Sequence, residues 1–189
     1  MIPNNILTEI FIYFAKFPNR AGIYPMFNIE TSNIAGYSEM KQAIDSMPAH
    51  SLTTIENYVF GANLEAIGHR VNNITSGADY LFVDFGEVDC GVDSSNRMTD
   101  SARLAITVAY RLKNFSIDLM EQMLAFSHSL DSLVGIRNTM ISEQRCHPWL
   151  KNVSNSHTFV PFVSEKFSSI GWTLLFNREG YDSFGAKNR

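Results

Sequence analysis

RLAITVAYRLK, residues 103–113, alternates without a break. Leu104, Ile106, Val108, Tyr110 and Leu112 fall on one side of an extended chain. Arg103, Ala105, Thr107, Ala109, Arg111 and Lys113 fall on the other. Successive side chains of a strand point to opposite faces, so the pattern predicts a strand with one buried face. Upstream, YLFVDF (80–85) carries the same period, with Leu81, Val83 and Phe85 together. Downstream, HTFVPFVSEKFSSIGWTLLFNREG (157–180) predicts two more strands. Phe159 and Val163 share a face of the first, and Ile170, Trp172, Leu174 and Phe176 form the core face of the second. Pro161 has no N–H to give to a ladder, which places its strand at a sheet edge.

Between these pairs the period changes to that of a helix. Ser116 is a capping residue for IDLMEQMLAFSHSLDSLVGIRNTMIS, where Ile117, Met120, Leu124, Leu133, Val134, Met140 and Ile141 supply much of the apolar side. Before the strands, Asn4 or Asn5 caps a helix to about Lys16. Its apolar side, from Ile6 to Phe17, is wide enough to demand burial in a core or against a partner. Pro18 ends it, and residues 18–36 read as an irregular segment with a short strand near Phe27–Glu30. SEMKQAIDSM (38–47) predicts a short helix with Met40, Ile44 and Met47 on one face. TTIENYVFGANLEAIGHRVNNIT (53–75) predicts a longer one, opened by a capping box of Thr53 and Glu56. The expected organisation is an N-terminal helix and irregular arm over residues 1–36, then an α+β core domain over 37–189 with a C-terminal tail. The core is expected to hold a mainly antiparallel sheet of about four strands with helices on one face.

The chain has 189 residues, 45% of them hydrophobic, enough for one real core and too apolar for a disordered chain. A net charge of -4 argues against a broad electrostatic grip on nucleic acid. No apolar run reaches the roughly 18 residues that span a bilayer, and Glu9 interrupts the N-terminal apolar stretch, so no membrane association or export signal is expected. Cys90 and Cys146 are far apart and form no CxxC pair, which predicts reduced thiols rather than a disulfide framework or zinc site.

FVDFGEVDCGVDSSNRMTD, residues 82–100, holds five acids: Asp84, Glu87, Asp89, Asp93 and Asp100. Their spacings match no calcium loop. Its DFG is not read as the magnesium motif of a kinase, because neither a catalytic loop nor a Gly-rich phosphate loop accompanies it. Ser94, Ser95 and Asn96 favour a turn, so the stretch reads as a polar loop joining two strands. His50, His69, His128, His147 and His157 make no close metal-binding pair, and Cys146 beside His147 has no oxyanion motif. No catalytic, cofactor or metal residue is expected. Three features do suit partner contacts: the aromatic first helix with Phe11 and Phe14, the 18–36 segment, and the tail with Tyr181 and Phe184.

From Tyr80 onward, strand YLFVDFGEV, a polar loop, strand RLAITVAYRL, helix IDLMEQMLAFSHSLDSL and the closing FVPFVSEKFSSIGWTLLFNREG resemble, in element order, the tail terminator and head–tail joining proteins of tailed phages and prophages. The resemblance covers roughly the C-terminal 110 residues. It implies a non-enzymatic virion protein, assembled in the host cytoplasm as a homo-oligomeric ring, commonly a hexamer. Its partners would be tail-tube or connector proteins, with DNA passing only transiently. On that reading Arg103, Arg111 and Lys113 are candidates to pair with acids of a neighbouring subunit. Glu87, Asp89, Asp93 and Asp100 are candidates for an acidic loop facing the lumen, where like charge lets DNA slide. Two alternatives are a metal-dependent enzyme using the 84–100 acids and a host protein-interaction module.

Overall fold

A computed structural model of the chain describes residues 6–27, 32–48, 52, 54–63, 65–115 and 118–180. The alternating segment is the centre of the sheet. β4 (Met98–Arg111) pairs along most of its length with β6 (Ser169–Gly180), which in turn pairs with β5 (Val153–Ser164). On the other side of β4 lie β2 (Asp79–Asp84) and β3 (Val88–Val92), aligned end to end against different parts of it. β1 (Asn57–Gly61) pairs with β2 and forms the far edge. β5 is the other edge, as Pro161 requires.

The α+β class and the four expected strands are present, but among the described residues the sheet has six strands and is mixed, because β1 runs parallel to β2. Residues 53–75 account for part of that difference. Instead of one helix they hold β1 and the short α3 (Gly68–Asn72). Tyr58 faces one core and Val59 the other. A strand buried on both faces shows no alternation, and its apolar residues also satisfy a helical period. The expected capping box involves Thr53, which lies outside the described residues, as do Asn4, Asn5, Ser116, Ile117 and most of the strand expected near 27–30.

The main core lies between one face of the sheet and two helices, α1 (Ile6–Ala15) and α4 (Leu119–Glu143). Leu133, Ile136 and Met140 of α4 meet Leu104, Ile106 and Val108 of β4 and Leu174 and Phe176 of β6. α4 is capped by Asp118, whose Oδ1 accepts from the Met120 and Glu121 amides at 2.9 and 3.1 Å. Trp172 of β6 donates through Nε1 to the Phe126 carbonyl at 3.1 Å, tying β6 to the helix. α1 belongs to the same core: Phe14 and Phe17 are enclosed and pack with Trp149 and Ile23. α2 (Tyr37–Asp45) adds Ile44.

Helices are not confined to one face. A second, smaller core on the opposite side joins Tyr80, Phe82 and Ala109 to Val71, Ile74 and Phe167, roofed by α3 and the 165–168 turn. Arg111 locks that roof, donating to the carbonyls of Val71 at 3.3 Å, Asn72 at 2.7 Å and Ile74. Among the described residues no helix is long and apolar enough to cross a membrane.

Candidate functional site

The acidic stretch is a bent β-hairpin, not a loop. At its start the Asp84 Oδ1 accepts the Gly86 amide at 2.8 Å, and burial raises the Asp84 carboxyl against that bond. Gly86 has φ of 53°, and a Cβ there would stand 2.2 Å from the Arg103 carbonyl oxygen. The glycine therefore makes the jog between β2 and β3. At the tip, Asp93 Oδ1 accepts from the Ser95 and Arg97 amides at 2.8 and 2.9 Å, and Asn96 takes φ of 61°. Turn-forming chemistry thus uses two of the five acids. β4 residues 98 and 99 pair with β3 alone, so the tip runs past the rest of the sheet.

Asp100 does not belong to an exposed acidic surface. It is buried in β4, on the same face as the buried Arg178 of β6. Arg178 Nε donates to the Trp149 carbonyl at 3.0 Å, and burial lowers the guanidinium while Glu9 and Asp100 oppose that effect. Asp100 is one charge of an internal group that joins α1, β4 and β6. Glu87 and Asp89 remain exposed and Asp93 is half-buried. Among the described residues, no three His, Cys, Asp or Glu side chains form a group that could hold a metal ion.

The expected partner-contact residues separate in the same way. Phe14 is fully enclosed, and Phe11 is buried against Phe27, Tyr58 and Phe60, so both serve the chain's own core. Arg111 is occupied by the carbonyls of α3 and the turn after it. Arg103 and Lys113 are exposed. Tyr181 and Phe184 lie outside the described residues. Cys90 and Cys146 are both exposed and are not joined in a disulfide.

Two features are not legible in the sequence. One is a buried acid with a histidine partner. Asp79 Oδ2 lies 3.2 Å from His128 Nδ1, tying the start of β2 to α4, while Oδ1 is buried without a hydrogen-bond partner. Burial pushes the Asp79 carboxyl up to about 6, opposed by His128 and helped by Glu56. Asp79 stands opposite Tyr110, which with His128, Glu121 and Leu124 lines a cleft of about 400 Å³ beside α4.

The other is exposed apolar surface. Leu119, Met120, Met123 and Leu124, in the first two turns of α4, are 79, 59, 55 and 59% exposed. Leu119 with Met123, and Met120 with Leu124, are i, i+4 pairs, so the four form one patch. On the far side of the sheet, Ala105, Thr107, Thr173, Leu175 and Val160 share a face, and Leu175 and Val160 are 42 and 37% exposed. That face is roofed by α3 toward β1 and β2 and by Phe167 at the β5–β6 turn, and Thr107 is buried. Periodicity in α4 marks apolar positions without saying which of them the sheet will cover, so the patch cannot be separated from the core stripe by sequence alone.

No protein-family model matches the chain, and no curated protein matches it.

Proposed function

We propose that the chain is a structural, non-enzymatic subunit of a tailed-phage or prophage virion, working in a homo-oligomeric ring that closes or joins the tail tube. The observation that carries the reading is the exposed patch Leu119–Met120–Met123–Leu124 on the helix whose Leu133, Ile136 and Met140 enter the main core. Contiguous apolar surface of this kind marks a protein contact. The order of strand, hairpin, strand, long helix and closing strand pair, on which the resemblance rests, supports the specific assignment. The 93–97 tip, with Glu87 and Asp89 behind it, is the element assigned to a lumen or rim on this reading.

Mass measurement of the purified chain by light scattering across a concentration range, with and without a tail-tube protein, tests this. A multi-subunit species, ring-shaped by negative-stain microscopy, is the expected result. A monomer under all conditions, including excess tail-tube protein, would overturn it.

A further inference from the structure

The cleft beside α4 and the apolar patch at the start of that helix are one continuous surface, because Met120 and Leu124 belong to both. Tyr110, His128, Asp118 and Glu121 also line the cleft, which encloses about 400 Å³. Apolar walls with a few convergent polar groups are the usual make-up of a binding site.

The charge of this cleft is one-sided. Burial raises the Tyr110 phenol, and Glu121, Asp79 and Glu56 each raise it further, so three carboxylates set a negative potential there. Asp118 adds a fourth, with its Oδ1 taken by helix amides. Opposing them are His128, held by Asp79, and exposed Lys113, whose Cε borders Gly77 as the Tyr110 hydroxyl does. Arg111 lies on the other face of β4, bound by carbonyls. Asp79 is a second and independent sign. It is only 7% exposed, and its contact with His128 turns the carboxyl toward the cleft wall, yet Oδ1 has no hydrogen-bond partner. A buried carboxylate so poorly met gains from a cation brought close.

We propose that this surface receives a segment of a partner protein in which a lysine stands between apolar residues. The ammonium enters the cleft toward Glu121 and the Tyr110 ring, and the flanking side chains lie on Leu119, Met120, Met123 and Leu124. A lysine suits such a site because its long stem is apolar and its charge sits at the tip. The inference rests on the reading of the patch as a protein contact and names the chemistry of what covers it.

The test titrates the full chain, with labelled methionine methyl groups, against acetyl-Ser-Leu-Lys-Leu-Ser-amide and its Gln and Glu counterparts at the central position. The lysine peptide should shift the Met120 and Met123 methyl signals and bind at least about fivefold tighter than the glutamine peptide, with the glutamate peptide weakest. E121Q should bring the lysine peptide to the glutamine level, and L124S should weaken all three, with circular dichroism unchanged. Equal affinity for the three peptides would overturn the inference and leave the patch as a plain apolar contact. Hexylammonium binding as tightly as the lysine peptide would make the cleft a small-amine site and overturn docking. No peptide binding by a chain that assembles with tail-tube protein would overturn this inference alone. A chain that binds the lysine peptide yet stays monomeric with tail-tube protein would support it and overturn the virion reading instead.

Discussion

Single residues carry two kinds of strain in this chain, one electrostatic and one steric. Asp79 is an acid placed where its charge is poorly supported, since one oxygen meets a half-exposed histidine and the other meets nothing. A carboxyl raised from 3.8 to about 6 binds its proton more tightly folded than unfolded. Its contribution to stability is therefore full below about pH 4 and is lost as pH rises through 6. Asp79→Asn removes the titration. Wild type should lose stability relative to this variant between pH 4 and 7, by an amount on the order of 2 kcal/mol, in paired urea melts. A constant difference across that range would show that the carboxylate is adequately solvated. Gly86 is the steric case. Any side chain there meets both a positive φ and the Arg103 carbonyl. Gly86→Ala should cost about 2 kcal/mol or more, read by the same urea melts. By contrast Gly91→Ala, where the nearest atom is a Thr99 hydroxyl at 3.7 Å, should be nearly neutral.

At the scale of elements, legibility in the sequence depends on how many faces each element buries. β4, β6 and α4 have one face covered and the other covered only in part, so their periods of 2.0 and 3.6 survive in the sequence. β1 is buried on both sides, and its NYVFG looks as helical as it does extended. β3 is hidden for a different reason. Its VDCGV has almost no buried residue, and only its ladder with β4 makes it a strand. The same logic governs the candidate site. Asp93 and Asp84 are legible as turn acids because turn chemistry is local. The burial of Asp100 with Arg178, and the pairing of Asp79 with His128, depend on contacts far apart in sequence. At the start of α4 Asp118 accepts the first free amides, while the expected cap, Ser116, lies outside the described residues. Asp118→Ala should destabilise the chain by about 0.5–2 kcal/mol, with Asp118→Asn recovering most of it, as read by thermal or urea unfolding. Equal stability of all three would mean that packing alone fixes the helix end.

For the whole molecule, the contacts of α1 argue that it is part of the body and not an arm. Phe14 is enclosed beside Trp149, whose indole also meets Tyr13. The Tyr13 hydroxyl donates to Glu143 at 2.8 Å, and Lys16 binds the same carboxylate, so α1 is fastened to the end of α4 as well. Burial would raise the Glu143 carboxyl, but the hydrogen bonds from Lys16 and Tyr13 and the charges of Lys16 and His147 hold it below its ordinary value. An arm would unfold before the sheet; a shared core unfolds with it. The two tryptophans separate these cases, since Trp149 reports the α1 contact and Trp172 the junction of β6 with α4. In Trp149→Phe and Trp172→Phe chains, each with one remaining indole, the urea transition seen by fluorescence should coincide with that seen by far-UV circular dichroism. Phe14→Ala should shift both probes together, by about 3–5 kcal/mol, because the cavity it leaves lies inside the common core. If the Trp149 signal moved to lower urea while the Trp172 signal stayed in place, residues 6–17 would have to be treated as a separately folding arm.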